Sequence, residues 1–175
     1  MGRFELRPLC AADADWIARE VANPNVHRWL TSVPCPYGLS DAEWFIDRFA
    51  ENPGFRVIEA EHLLGVISIE SAASFDPDRP DLPELGYWLA EQAWGRGVMT
   101  AAGQRMVDWF FGSGLGEVIG SGWIRGNSRS ARVLGKLGFT PTGETLMRHA
   151  YFHGKEVPIE RVALSKDQWQ IAKPA

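Results

Sequence analysis

Arg3, Phe4, Glu5, Leu6 and Arg7 alternate polar and apolar at the start of the chain, which predicts a half-buried strand ending at Pro8. The period then lengthens. In "CAADADWIAREVAN", Trp16, Ile17, Ala18 and Val21 lie along one helical stripe, and "NPN" stops that helix. After the proline-bearing "VHRWLTSVPCPYGLS", Ser40 and Glu43 have capping-box spacing ahead of Trp44, Phe45, Ile46 and Phe49, so a second helix is expected to begin at Ser40. "FRVIEAEHLLGVISIE" reads as a hairpin turning near Glu61 and His62. "SAASFDPDRPDLP" has no periodicity and three prolines, and reads as a stiff surface loop.

A strand over Glu84 to Leu89 follows, and from Val98 a helix whose apolar face carries Met99, Ala102, Met106, Val107 and Phe110. "EVIGSGWI" reads as the next strand. "NSRSARVLGKLGF" reads as a short helix with Asn127 as N-cap and Gly138 as its left-handed stop. The last third reads as two or three strands with a turn at "HGK". Interleaved helices and strands with hairpins at both ends of the order predict one mixed α/β domain, taken as residues 3–168, with no repeat or linker.

Composition narrows the partners. At 175 residues, 45% hydrophobic and 23% charged, the chain fits an ordinary soluble globular domain, and a formal net charge of −4 argues against nucleic acid as partner. Cys10 and Cys35 lack C-x-x-C or zinc spacing, so no metal is expected and reduced thiols in a cytoplasm fit best. No apolar run reaches membrane-spanning length, and "MGRFELRPL" is unlike a signal peptide. Eight tryptophans and several apolar strands permit a homodimer without requiring one.

The candidate chemistry sits in "ELGYWLAEQAWGRGVMT". A strand that runs into glycines and then a helix exposes N–H groups that lack intrahelical partners, at the positive end of the helix dipole, so an anion is expected there. A P-loop is excluded, because the Gly-Lys pairs at 135–136 and 154–155 are followed by Leu137 and Glu156 instead of Ser or Thr. A dinucleotide fingerprint is excluded too, since Thr100 stands where its third glycine belongs. The remaining pattern, [QR]-x-x-G-x-[GA] from Gln92 to Gly97, resembles the pyrophosphate-binding motif of the GNAT superfamily of N-acetyltransferases. "NSRSARVLGKLGF" is similar to the N-x-x-S-x-x-x-x-x-K-x-G-F block of that superfamily. "LRPLCAADADWI" and "YWLAEQAWGRGVMT" resemble blocks of its subgroup of ribosomal-protein N-terminal acetyltransferases, the Rim type.

This resemblance covers nearly the whole chain in order. It implies a single-domain GNAT fold, a twisted and mostly antiparallel sheet flanked by helices, with two splayed central strands around acetyl-CoA. The implied activity is acetyl transfer to a primary amine by direct attack in a ternary complex, the acceptor being a protein N-terminus. A small amine such as an aminoglycoside, polyamine or amino-acid-like compound is the alternative acceptor, and a non-catalytic acyl-CoA sensor the alternative class. In the coenzyme loop, Gln92, Trp94, Gly95, Arg96, Gly97, Val98 and Thr100 are implied to hold the diphosphate. The main chain near Leu89 is implied to hold pantetheine and the oxyanion, with the Asn127 amide as a further pantetheine contact, and Arg132 and Lys136 to neutralise the coenzyme phosphates with Arg96.

Acyl transfer also needs a base for the amine and a proton or hydrogen bond for the departing thiolate. Glu84 stands where family members carry a carboxylate acting through water, though it fits a solvated strand-end glutamate beside Pro83 almost as well. Gly86 suggests a bulge or a close approach, or simply room for a neighbouring tryptophan. Leu134 occupies the position where many relatives place an acidic tyrosine. Ser130 matches the subgroup's serine near the sulfur, as proton donor or as solvation for the thiolate. Trp29, Tyr37 and Trp44 are candidates for an acceptor pocket. His149, Tyr151 and His153, expected on one strand face, read as packing or pocket wall in preference to a metal site.

Overall fold

A computed structural model of the chain describes residues 3–71 and 82–172. The expected surface loop after Ser71 lies largely outside the described residues. Strand β1 (Glu5–Arg7), helices α1 (Ala14–Ala22), α2 (Pro24–His27) and α3 (Leu39–Phe49), and strands β2 (Phe55–Glu59) and β3 (Leu63–Ser71) form the N-terminal part. Strand β4 (Pro83–Leu89), helix α4 (Val98–Gly112), strand β5 (Val118–Ile124) and helix α5 (Ser128–Lys136) carry the glycine loop and the asparagine block. Strands β6 (Thr140–Ala150) and β7 (Lys155–Ser165) and helix α6 (Lys166–Ala172) complete the described chain.

One seven-stranded sheet has the order β1-β2-β3-β4-β5-β7-β6. Every neighbouring pair is antiparallel except β4 and β5, whose only registered pair is Glu84 with Gly120. Beyond that pair the two strands part. The Ser121 hydroxyl, fully buried, donates to the Leu85 carbonyl at 2.8 Å and so takes the place of the next ladder bond.

Alternation along β4 sends its side chains to two cores. Leu85, Tyr87 and Leu89 pack with α4 and α5 around Met106, Val107, Ile119 and Leu134. Trp88 faces the opposite way, into the cluster of Ile17, Val21, Ala42 and Ile46 from α1 and α3, where it stacks on Trp16 with 5.3 Å between centroids. The parting of β4 from β5 therefore opens between the two cores.

Several local expectations need correction. The helix expected at Ser40 is α3, which starts at Leu39: Gly38 is its N-cap, and the Asp41 carboxylate accepts the Gly38 N–H at 2.8 Å, so Ser40 and Glu43 play no capping part. "NPN" ends α1 and at once starts α2, because the Asn23 side chain accepts the Asn25 N–H at 2.9 Å while Pro24 needs no helical donor. Gly86 makes no bulge, since the β3–β4 register is continuous across its partner Ser68. His149 stays in β6, but Tyr151 and His153 belong to a short turn, where the His153 ring bonds the Arg28 carbonyl at 2.9 Å. Helix α6 was not foreseen; it buries Trp169, whose indole N–H donates to Asp108 at 2.8 Å.

Candidate active site

Strand β4 ends at Leu89, and a short turn over Glu91–Ala93 leads into the glycines. Gly95 and Gly97 have φ of +74° and +75°, left-handed backbone that side chains with a Cβ resist. The first helical bond of α4 runs from the Ala101 N–H to the Gly97 carbonyl at 3.2 Å, so the N–H groups of Val98, Met99 and Thr100 precede it. Trp94 folds back over the loop, its indole N–H donating to the Leu89 carbonyl at 3.0 Å.

Helix α5 faces that terminus across the gap. Asn127 caps it as expected, its side-chain oxygen accepting the Ser130 N–H at 3.2 Å. Arg129, Arg132 and Lys136, spaced by three and four residues, form one cationic stripe, and the Arg129 guanidinium sits 4.7 Å over the Trp94 ring. Loop glycines, helix terminus and stripe together make a site for a large anion with several phosphates.

A cavity of about 380 Å³ starts here and passes between β4 and β5. Leu85 to Leu89 form one wall, and Gly122 with Trp123 the other. On the α2 side it is lined by Val26, Trp29 and Leu30. Glu91 ties α2 to the glycine loop, accepting from the Asn23 and Asn25 amides at 3.0 Å. Of the expected residues, Leu89, Trp94, Gly95, Gly97, Val98, Thr100, Asn127, Ser130, Arg132, Lys136 and Trp29 line this cavity. Gln92 and Arg96 are exposed on the outside of the loop. Tyr37 packs edge-on against His27 instead, and Trp44 is 62% exposed on α3.

Glu84 lies at the closed end of the gap, outside the cavity lining, and its carboxylate is ion-paired with Arg161 of β7. That guanidinium reaches across β5 because Gly120 and Gly122 have no side chains: a Cβ at Gly120 would come within 3.2 Å of Arg161 Nη2. Gly86, two residues along on the Glu84 face of β4, lines the cavity and is exposed to it.

Sequence reasoning missed Arg129, Trp88, Trp123 and above all Tyr87. The Tyr87 hydroxyl lies 2.8 Å from Ser130 Oγ. Burial pushes the phenol up to about 12, only partly offset by the Ser130 bond, so it stays protonated across the physiological range. Alternation already placed Tyr87 on the Leu85 and Leu89 face, but nothing local showed that α5 packs against that face.

A strand that parts from its parallel neighbour beside a glycine-capped helix defines a class. A family model for the acetyltransferase (GNAT) domain matches residues 3–140, and the chain belongs to that family. Among solved structures, ribosomal-protein-S5-alanine acetyltransferase from Vibrio fischeri superposes with a TM-score of 0.77 at 20% identity, over 99% of this chain and 97% of that one. Spermidine N-acetyltransferase from Vibrio cholerae, in complex with CoA and spermine, gives a TM-score of 0.74 at 17% identity, over 95% and 98%. AAC(6')-Ib in complex with ribostamycin and coenzyme A gives 0.79 at 13% identity, over 98% of each chain. No curated protein matches the sequence significantly. Among the described residues no group of His, Cys, Asp and Glu is arranged to hold a metal ion, and no helix is long and apolar enough to cross a membrane.

Proposed function

We propose that this acetyltransferase moves the acetyl group of acetyl-CoA to the α-amine of a protein N-terminus, by direct attack in a ternary complex. The observation that carries the reading is the cavity through the sheet. It joins an anion site at one face, suited to the coenzyme diphosphate, to an aromatic mouth at the other, so donor and acceptor can meet between β4 and β5 without leaving the protein. The main-chain groups of Tyr87 and the Leu89 N–H face that gap, where no strand pairs with them, and are suited to hold the thioester and its oxyanion, the Leu89 carbonyl being taken by Trp94. Gln92, Arg96 and Thr100 complete the coenzyme loop in this reading. Glu84 acts as base through water, its carboxylate held by Arg161.

Electrostatics favours a peptide over a polycation. Among the described residues, no Asp or Glu lines the cavity, and its charged residues are Arg129, Arg132 and Lys136. A spermidine-like or aminoglycoside acceptor carries several positive charges and calls for carboxylates there. Trp29, Leu30 and Trp88 instead suit an uncharged side chain beside a single amine. The Rim-type resemblance of the N-terminal block supports the same acceptor.

The test is thiol release from acetyl-CoA against peptides with free N-termini and a panel of small amines, with calorimetry for coenzyme binding. Peptide-dependent release is expected. Release with polyamines or aminoglycosides alone overturns the acceptor, and tight coenzyme binding without release to any amine makes the chain a sensor.

A further inference from the structure

The family position that often carries a tyrosine holds Leu134, and here that side chain is fully buried in the main core. A phenol nevertheless reaches the cavity from another element. Tyr87 comes from β4, crosses the gap and meets Ser130 in the first turn of α5, with both residues lining the cavity. The Ser130 backbone is itself pinned by the Asn127 cap. The Tyr87 O–H can also donate to the Ser130 main-chain carbonyl at 3.3 Å, but a phenol has one hydrogen and Ser130 Oγ, at 2.8 Å, is the nearer acceptor.

We infer that Tyr87 is a positioning residue for acetyl transfer: its hydroxyl donates to Ser130 Oγ and so turns the Ser130 O–H towards the departing sulfur. This rests on the acetyltransferase reading above. A serine hydroxyl has one hydrogen and two lone pairs. If Ser130 donated to Tyr87, its hydrogen would be spent inside the protein. With Tyr87 as donor, the hydrogen is left for the cavity. As the amine nitrogen bonds the carbonyl carbon, the C–S bond breaks and sulfur leaves with the electron pair. Ser130 donates a hydrogen bond to that thiolate, and the proton lost by the amine balances the one the thiol finally takes up.

The chemical step is measured in single turnovers for the wild type, Tyr87→Phe, Ser130→Ala and the double variant, together with the KM for acetyl-CoA and the thermal midpoint of each. Tyr87→Phe is expected to slow turnover roughly 3- to 10-fold, the worth of one hydrogen bond, with KM and midpoint nearly unchanged. In the Ser130→Ala background the same change should cost nothing further, because Tyr87 acts only through that hydroxyl. An equal loss in both backgrounds, or no loss on Ser130→Ala or Tyr87→Phe alone, overturns the inference and leaves the acetyltransferase reading standing. A wild type that binds coenzyme and transfers to no amine overturns both.

Discussion

Glu84 is the residue whose two candidate roles now have separate signatures. Its ion pair with Arg161 closes the end of the gap, and the two side chains are only 18% and 11% exposed. Replacing one partner leaves the other charge partly buried, so Glu84→Gln should destabilise the fold by up to about 3 kcal/mol. If the carboxylate also orders the water that takes the amine proton, turnover falls by about 10² or more while acetyl-CoA affinity holds. Urea unfolding and steady-state kinetics on the same variant separate the two roles, and a stability loss with unchanged turnover assigns Glu84 to structure alone. Gly97 is simpler. At φ +75° a Cβ costs roughly 1–2 kcal/mol. Gly97→Ala is therefore expected to raise the KM for acetyl-CoA several-fold by distorting the loop, with a smaller effect on kcat, as read from initial rates.

The motifs themselves sort differently once the elements are seen. "LRPLCAADADWI", which carries the subgroup resemblance, builds a clamp at the sheet edge rather than a part of the cavity. Arg7 on β1 bonds both oxygens of Asp13, at 2.6 and 2.8 Å, and also pairs with Glu59 on β2. Burial pushes the Asp13 carboxyl up, but bonds from Arg7 and the Cys10 N–H together outweigh it and hold the group below its ordinary 3.8. A depressed carboxylate stabilises the fold above its unfolded value and loses that contribution as pH falls through the folded one. Asp13→Asn is thus expected to cost about 2 kcal/mol at pH 7, with the gap to wild type shrinking below about pH 3.8, as urea unfolding at pH 7 and pH 3 will report. The glycine loop and the Asn127 cap were legible because left-handed backbone and helix ends leave local signatures. The Tyr87–Ser130 contact, the Arg161 reach across Gly120 and the join of α2 to Glu91 link residues 43, 77 and 66 apart, and no window of sequence carries them. The Ser40 cap was misread for a local reason: Asp41, three residues after Gly38, supplies the reach-back carboxylate that the same spacing gave to Glu43 after Ser40.

At the scale of the molecule, charge is divided against its total. The chain carries a formal −4, yet the charged residues among those described around the cavity are cationic and gather on α5 beside the α4 terminus. A polyanion approaching the molecule is repelled by the whole and drawn in only at that face, so its capture depends on short-range attraction that salt can reach. Arg132 and Lys136 are exposed, which makes their contribution easily screened. The KM for acetyl-CoA is therefore expected to rise several-fold between about 0.05 and 0.5 M salt, as the screening length falls from over 10 Å to a few ångström. In a variant with Arg132→Ala and Lys136→Ala, the low-salt KM should already be raised and should change little with salt. A peptide acceptor bound at the aromatic mouth by Trp29, Leu30 and Trp88 should show no comparable salt slope in its own KM, since apolar burial is not screened. In the function proposed above, acceptor and donor thus enter by opposite faces under different forces. An acceptor KM as salt-sensitive as the donor's would mean that the amine is recognised by charge, and would move the function back towards a cationic small molecule.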